Sequence, residues 1–407
     1  MSFKTASLSL SFPDFPYDLE LLPQSAYLVG GAVRDALLGR KGSYVDLDFV
    51  VPEKSVETAK QIARDYRAGF VVLDEARQIA RVVFPQGTLD FALQEGGTLD
   101  KDLHRRDFTI NAIAYNFRSS EAIDPLGGIE DLRRGIIRMI SPENLRDDPL
   151  RLLRAYRQAA QLGFQIDDGT RGQIRELAPL IRNIAAERVQ SEFNYILSHQ
   201  QGDKWLRYAW EDGLVTPWFP KASEEKIYRI YGVSRNASYL AQKWQNFGAD
   251  CIKWQELAKL ATLVSCDPEL AESELEKLKY SRSHIRSVCS AIENLLYLQS
   301  ITAPLTLREQ YFFFLKAKKV FPIVATLAMT AGIDSAILSP LIERYLNPND
   351  AVIDTPQLIT GNDLIDELQL KPSPLIGTLL TEVKIAYIEG KVTDKASAIA
   401  YARKFSG

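Results

Sequence analysis

Cysteine and histidine are scarce in this chain. Its three cysteines, Cys251, Cys266 and Cys289, make no CxxC pair and no metal-holding spacing. That usage excludes a disulfide-stapled scaffold and points to a reducing, cytoplasmic compartment. The three histidines, His104, His199 and His284, are scattered, and no His-Asp dipeptide occurs, which argues against a metal phosphohydrolase. No apolar run is long enough to span a bilayer, and the first residues lack a charged-then-apolar signal pattern. No membrane partner is therefore expected. An excess of either charge is missing too: 49 Lys and Arg against 52 Asp and Glu leave a net charge of −3. Any contact with nucleic acid must then come from a local basic patch. Fixed-period repeats and low-complexity segments are also absent.

With 407 residues and 46% hydrophobic composition, the chain has enough material for a sizeable core and two to four domains. Residues 27 to about 117 alternate short β-rich runs with helix-like segments. The runs are YLVGG, VDLDFVV, GFVVLD, IARVVF and TLDFAL, and SVETAKQIARDY between the second and third has helical periodicity. From about residue 141 strand signals disappear, and helices follow one another between Pro and Gly breaks such as TPWFP, ITAPLT and KPSPLIG. The expected fold class is α+β, with a small α/β head followed by an all-helical remainder. Trp205, Trp210 and Trp218 are expected in the helical core.

The stretch YLVGGAVRDALLGRKGSYVDLDFVV, residues 27 to 51, carries the densest chemistry. An apolar strand runs into Gly30 and Gly31, and a helix that Gly39 can end follows. Glycines at such a turn let a phosphate approach backbone N–H groups, and a helix start favours anions. Arg34, in the first turn, is placed to reach a triphosphate. Next, Asp46 and Asp48 alternate with Val45, Leu47 and Phe49, so the two carboxylates share one strand face. Adjacent carboxylates repel unless a cation lies between them, and Mg²⁺ accepts oxygen ligands of this kind. Asp90 in TLDFAL is a candidate third carboxylate. Two metals so held would activate an attacking hydroxyl and neutralise a leaving pyrophosphate. A GG turn or a DxD alone is an ordinary surface feature; the order GG, RD, DxD within one strand–helix–strand unit is much more specific.

Two further clusters follow. In DLHRRDFTINAIAYN, Asp102 to Asn116, Arg105-Arg106-Asp107 precedes an apolar run expected as a helix, with Asp107 or Thr109 as its cap. The bland alternative is an exposed charged helix start. The functional one is that Arg106 grips phosphate or ribose, with Asn111 on the inner face. DPLGGIEDL is expected as a connector, with Asp124 placed to orient an arginine and Asp131 near a helix start. In RDDPLRLLRAYRQAAQLGF, Asp148 suits the N-cap and Pro149 the first helical position. Asp148, Arg151, Arg154 and Arg157 then lie on one broad helix face, while Leu152, Tyr156, Ala159 and Ala160 form the buried one. A cap and a solvated face are the plain readings. A base-reading surface is the sharper one. A carboxylate accepts from an exocyclic amino group, and a guanidinium donates to a ring nitrogen or carbonyl. Cytosine and adenine offer that amino group; uracil and guanine present a carbonyl. An Asp148/Arg151 pair would take CTP and ATP and reject UTP and GTP without a template, because mismatched polar groups would be left unpaired.

LVGGAVRDALLGR…DLDFVV, RRDFTINAIA, DPLGGIEDL, DDPLRLLRAYRQAAQLGF and AAERVQSE resemble, in order, the motifs of the bacterial-type (class II) tRNA nucleotidyltransferases and their poly(A) polymerase relatives. The likeness is specific over roughly the first half of the chain and looser beyond it, in LEKLKYSRSHI and the stretch from ITGNDL to AIAYA. It implies a nucleotidyltransferase head at 1–140, a base-selecting neck at 141–205, a body at 206–295 and a tRNA-binding tail at 296–407. It implies Mg²⁺ on Asp46 and Asp48; Asp90 remains the candidate third catalytic carboxylate from its place on a later strand. Gly30, Gly31, Arg34 and Arg106 are implied to contact the nucleotide, Asp148 and Arg151 to select the base, and Arg154 and Arg157 to hold the nucleotide or the tRNA 3′ end. Glu187 and Arg188 are implied to brace the base-reading helix, and the tail to grip the tRNA elbow through its backbone.

Two features depart from the family pattern. Asp147 stands where the family usually has Glu. The segment between Asp90 and Arg105 is short, residues 91 to 104. Complete CCA-adding members carry a longer flexible loop there, so the shortness resembles members that add only two cytidines. The expected activity is therefore CC addition from CTP, with a separate A-adding enzyme as partner; the alternative is full CCA addition with ATP as well. A poly(A) polymerase fits less well, because its extra signature before the second motif and a basic C-terminal extension are missing. A non-catalytic RNA-binding protein would not need an intact DxD.

Overall fold

A computed structural model describes residues 5–7, 22–40 and 45–405. The chain divides into two compact units, Met1–Pro217 and Trp218–Gly407. The first unit contains all the strands among the described residues. These are β1 (Thr5–Ser7), β2 (Tyr27–Val29), β3 (Val45–Val51), β4 (Gly69–Asp74), β5 (Ile79–Phe84), β6 (Gly87–Leu93), β7 (Ala114–Asn116), β8 (Glu121–Ile123), β9 (Ile136–Ile137) and β10 (Gln165–Ile166). Its helices are α1 (Gly31–Leu37), α2 (Ser55–Asp65), α3 (Leu99–His104), α4 (Gly128–Arg134), α5 (Pro142–Asp147), α6 (Leu150–Leu162), α7 (Asp168–Leu177), α8 (Ala186–Ser198) and α9 (Gly202–Glu211).

The main sheet runs β1-β8-β7-β2-β3-β6-β5-β4. Only β3 and β6 pair in parallel; the other neighbours are antiparallel. Strand alternation sets the two faces apart. Leu47 and Phe49 on β3, Leu89 and Phe91 on β6, and Ala80 and Val82 on β5 are buried. Phe49 stacks on Phe91 with ring centres 5.2 Å apart. Helix α2 covers this side with Ala59, Ile62 and Ala63. The side chain of Val45 lies outside the described residues. On the opposite face, Val29, Val50, Leu103, Ala112, Ala114 and Ile123 form a second buried cluster. Its Leu103 belongs to α3, so α3 is seated beside the exposed end of β3 and carries Arg105 and Arg106 there.

The apolar run after Asp107 is not the expected helix. A single 3₁₀ turn, Thr109–Asn111, leads straight into β7, which pairs with β2. Ile110, Ala112, Ile113 and Ala114 are all fully buried, and a run buried on every side has no solvent face to give it a helical period. Strands also do not end at residue 141: β10 pairs in parallel with β9. Asp124 does not orient an arginine. Its carboxylate accepts from the Gly128 and Ile129 N–H groups and opens α4. The second unit contains helices only, among the described residues, from Glu224–Lys243 to Lys395–Phe405. One of its cores joins Ile359, Leu364, Leu379, Val383, Ala398 and Ala402.

The glycine pair in DPLGG has two separate reasons. Gly127 has φ 74°, a conformation that side chains resist. Gly128 has an ordinary φ but no room: a Cβ there would lie 2.2 Å from the Thr109 carbonyl oxygen. Gly128→Ala should therefore destabilise the first unit by about 2 kcal/mol or more, read as a lowered thermal midpoint. Gly172→Ala, inside α7 where a Cβ meets nothing within 4 Å, should hold or raise it.

Candidate active site

The exposed face of β3 and β6 is built from register. Parallel pairing sets Asp46 beside Thr88 and Asp48 beside Asp90. The antiparallel β5–β6 pair then sets Arg81 beside Asp90. Three carboxylates and one arginine thus lie on one side of three adjacent strands. The Thr88 hydroxyl donates to Asp46. Arg81 donates to both oxygens of Asp90, from Nε at 2.7 Å and from Nη2 at 2.8 Å.

Gly30 abuts this face. Its φ is 75°, and a Cβ there would stand 3.3 Å from Nη1 of Arg106 and 3.5 Å from Oδ2 of Asp48. Gly30 is thus required twice, for conformation and for room. Arg106 is aimed at this point by Asp102, which accepts from its Nε and Nη2 at 3.2 and 2.9 Å. Asp102 also accepts from the Glu95 N–H, and Arg105 pairs with Glu95, so the short 91–104 segment is fastened to α3. Gly31 lies beneath Arg34, whose Nη2 would be 3.4 Å from a Cβ there. The Arg34 guanidinium is held by Asp35 and by Oδ1 of Asn111.

Helix α6, which carries the candidate base-reading residues, adjoins through a buried polar network. The Asn111 amide nitrogen donates to Asp107 and to Gln158 of α6 at 2.9 and 3.0 Å. Asp107 also accepts from Arg154 Nε at 2.9 Å and from the Phe108 N–H at 2.8 Å. Burial alone would raise the Asp107 carboxyl; Arg154 and the donors of Asn111 and Phe108 outweigh it and hold it at about 2. Arg34 on α1 and Arg154 on α6 therefore share one hydrogen-bonded path. Leu152, Tyr156, Ala159 and Ala160 are buried as their spacing predicts. Helix α6 starts at Leu150, whose N–H bonds Oδ1 of Asp148 at 3.3 Å. Oδ2 of Asp148 accepts from Arg188 of α8 at 2.9 Å, which ties the start of α6 to the motif expected to brace it. Glu187 is exposed. Arg151 donates to the carbonyls of Arg105 and Asn144. Arg157 bonds Glu192 of α8 at 2.6 Å and lies over the Tyr195 ring.

Sequence reasoning missed Arg81, Thr88, Asp102, Gln158 and Glu192. Period-2 alternation from Asp90 and cross-strand pairing were the available signals for Thr88 and Arg81; the others become visible only when α3, α6 and α8 are packed.

Asp46 and Asp48 do share a face, and Asp90 stands beside Asp48 on the same face, paired with Arg81. Among the described residues no three His, Cys, Asp or Glu side chains converge to enclose an ion. Arg81 occupies both Asp90 oxygens instead. The remaining pair still suits a hard divalent cation. Its donors are carboxylate oxygens only, and Mg²⁺ typically takes one or two carboxylates and completes its shell with water and substrate phosphates. The local charge favours a cation as well. Desolvation first, and then the charges of Asp90 and Asp46, push the Asp48 carboxyl up to about 6, against the opposite pull of Arg106 and Arg81.

Three families match the chain: the poly(A) polymerase head domain over residues 26–138, a probable RNA-binding region of the polymerase over 163–226, and tRNA nucleotidyltransferase domain 2 over 253–402. A CC-adding tRNA nucleotidyltransferase of Synechocystis is 51% identical over 96% of this chain and 95% of its own length. The chain belongs to the tRNA nucleotidyltransferase and poly(A) polymerase family. It is thus an enzyme of nucleotidyl transfer. A CCA-adding enzyme of Lactiplantibacillus plantarum is 28% identical over 94% of this chain and 92% of its own. The solved Thermotoga maritima CCA-adding enzyme complexed with tRNA shares the fold, with TM-score 0.70, 24% identity, and coverage of 94% of this chain and 91% of that one. No helix among the described residues is long and apolar enough to cross a membrane.

A proton and a cation compete for Asp48. With its carboxyl raised to about 6, the proton wins below that value and the cation above it. Mg²⁺ affinity in calorimetric titration should rise about tenfold from pH 5 to pH 7 and then level off. A flat profile would contradict the charge crowding described for this face.

Proposed function

We propose that this enzyme adds two cytidines to the 3′ end of tRNA without a template, in the cytoplasm, using CTP and Mg²⁺. The observation carrying the nucleotidyl-transfer reading is the exposed strand face that brings Asp46 and Asp48 beside Gly30 and Arg106. Asp46 and Asp48 hold the cation. When bound, it supplies Lewis-acid activation of the RNA 3′-hydroxyl and neutralises the leaving pyrophosphate. The hydroxyl oxygen forms a bond to the α-phosphorus and gives its proton to solvent, while the bond from the α-phosphorus to the bridging oxygen breaks and pyrophosphate departs. Gly30 and Gly31 leave room for the triphosphate against the backbone, and Arg106 and Arg34 bind its phosphates or ribose. Asp90 adds negative charge beside the pair. Asp148 accepts from the cytosine amino group and Arg151 donates to the adjoining ring nitrogen or carbonyl. Arg154 keeps the reading face in place from Asp107, and Arg157 joins α6 to α8 through Glu192.

The segment from Asp90 to Arg105 supports stopping at two cytidines. Apart from the single residues Gln94 and Thr98 it is taken up by the end of β6, a 3₁₀ turn at Glu95–Gly97 and α3, leaving no long loop to reshape the site for adenine. The Synechocystis relative is named for the same activity. A second enzyme would then add the adenosine. RNA contact must draw on local charge, given the net charge of −3. The second unit has a cleft of about 430 Å³ lined by Lys316, Lys318, Lys319 and Lys384, with no carboxylate among its described lining residues. Such a surface suits a phosphate backbone.

Purified enzyme, Mg²⁺ and tRNA lacking CCA should give a product longer by two nucleotides with CTP, and the same product when ATP is added. A product longer by three would show a complete CCA enzyme. Asp46→Ala should abolish incorporation; full activity in that variant would overturn the cation assignment. Asp148→Ala with Arg151→Ala should relax the preference for CTP over UTP by about a hundredfold, measured as a ratio of kcat/KM. Unchanged selectivity would place base reading elsewhere.

A further inference from the structure

Arg81 has no role in the chemistry so far. It is the third member of a cross-strand row, Asp48 on β3, Asp90 on β6 and Arg81 on β5, set by direct register partners. Side chains at such positions are close neighbours on one sheet face. Arg81 spends two of its donors on Asp90 in a bidentate fork, on a face where its own side chain is 37% exposed. The Asp90 side chain is less exposed than its partner, so the fork fixes how that carboxylate faces its neighbours. It takes one lone pair on each Asp90 oxygen and turns the carboxylate toward β5, so Asp90 competes poorly for a cation at Asp48, and it offsets one of three negative charges on the face.

We propose that Arg81 is a positioning residue that holds Asp90 in reserve, so that the nucleotide-free site offers a divalent cation two carboxylates rather than three. The triphosphate is the group that releases Asp90, because a guanidinium fork fits phosphate oxygens as well as carboxylate oxygens. Full cation coordination then depends on nucleotide arrival, and an empty enzyme does not trap a cation tightly. This inference rests on the cation reading of Asp46 and Asp48 given above.

The test is Mn²⁺ titration followed by electron paramagnetic resonance, with water proton relaxation to count the waters left on the ion. Without nucleotide, Arg81→Gln should bind Mn²⁺ about tenfold more tightly than the native protein and with one fewer bound water. Arg81→Lys keeps the charge but loses the fork, so it should also tighten binding and drop a water. A through-space charge effect would instead leave Arg81→Lys at the native affinity and overturn the proposal. Arg81→Gln combined with Asp90→Asn should restore the native water count; if it stays low, Asp90 is not the group released. With CTP present and RNA omitted, native and Arg81→Gln proteins should converge in water count, and a persistent difference would refute release by the triphosphate. If the native protein binds no Mn²⁺ that Asp46→Ala abolishes, the cation reading itself fails. If it does bind, and the Arg81 variants match it, only the role of Arg81 fails. Thermal midpoints of all variants check that the fold is intact.

Discussion

Asp107 accepts from three donors while almost entirely removed from water, and the geometry of the catalytic unit depends on that. Its partners belong to different parts of the chain: its own 3₁₀ turn through Phe108 and Asn111, and the base-reading helix through Arg154. Asn111 extends the path to Arg34 beside the glycine turn and to Gln158 within α6. A buried carboxylate left without its cation costs about 3–5 kcal/mol, so α6 cannot drift from the turn without exposing or abandoning that charge. The distance between the phosphate-binding groups and the base-reading groups is thereby held by one chain of hydrogen bonds. In the function proposed above, that distance would let a single helix judge the base of a nucleotide whose phosphates lie on the sheet.

The sheet solves the opposite problem. Asp46, Asp48 and Asp90 are gathered where nothing buried can neutralise all of them. The aromatic stack of Phe49 on Phe91 and the cover of α2 hold β3 and β6 in register from behind. The carboxylates cannot relieve their repulsion by sliding, because a one-residue slip would turn Phe49 and Phe91 to solvent. Packing energy on one face thus maintains electrostatic tension on the other, and that tension adds to desolvation in raising the Asp48 carboxyl. Thr88, Arg81 and Arg106 each relieve part of it; a cation relieves more.

Much of this was legible in the residues. The strands at 45–51, 69–74 and 79–84 have the bounds their apolar runs predict, because each pairs with neighbours on a half-buried sheet. The DxD face, the α6 burial stripe and the contact between Arg188 and the start of α6 follow from period and motif. The misreading at residues 108–116 has a physical origin. That segment is buried on all sides, so its hydrophobicity has no period, and only pairing of β7 with β2 and β8 makes its end a strand. The ion pair of Asp90 was hidden for a related reason. Its partner Arg81 is nine residues away in sequence, and only the β5–β6 register brings them together.

The sequence by itself determined which residues carry charge on which strand or helix face, because alternation and helical period are local properties of the backbone. It also determined the family, through motifs in a fixed order. The tertiary structure alone decided which charges meet. Arg81 reaches Asp90, Arg154 reaches Asp107, and Asp102 rather than a ligand aims Arg106 at Gly30. Ion pairing depends on distance in space, and distances of a few ångströms between remote segments are set by how the sheet and helices pack, which no local pattern encodes.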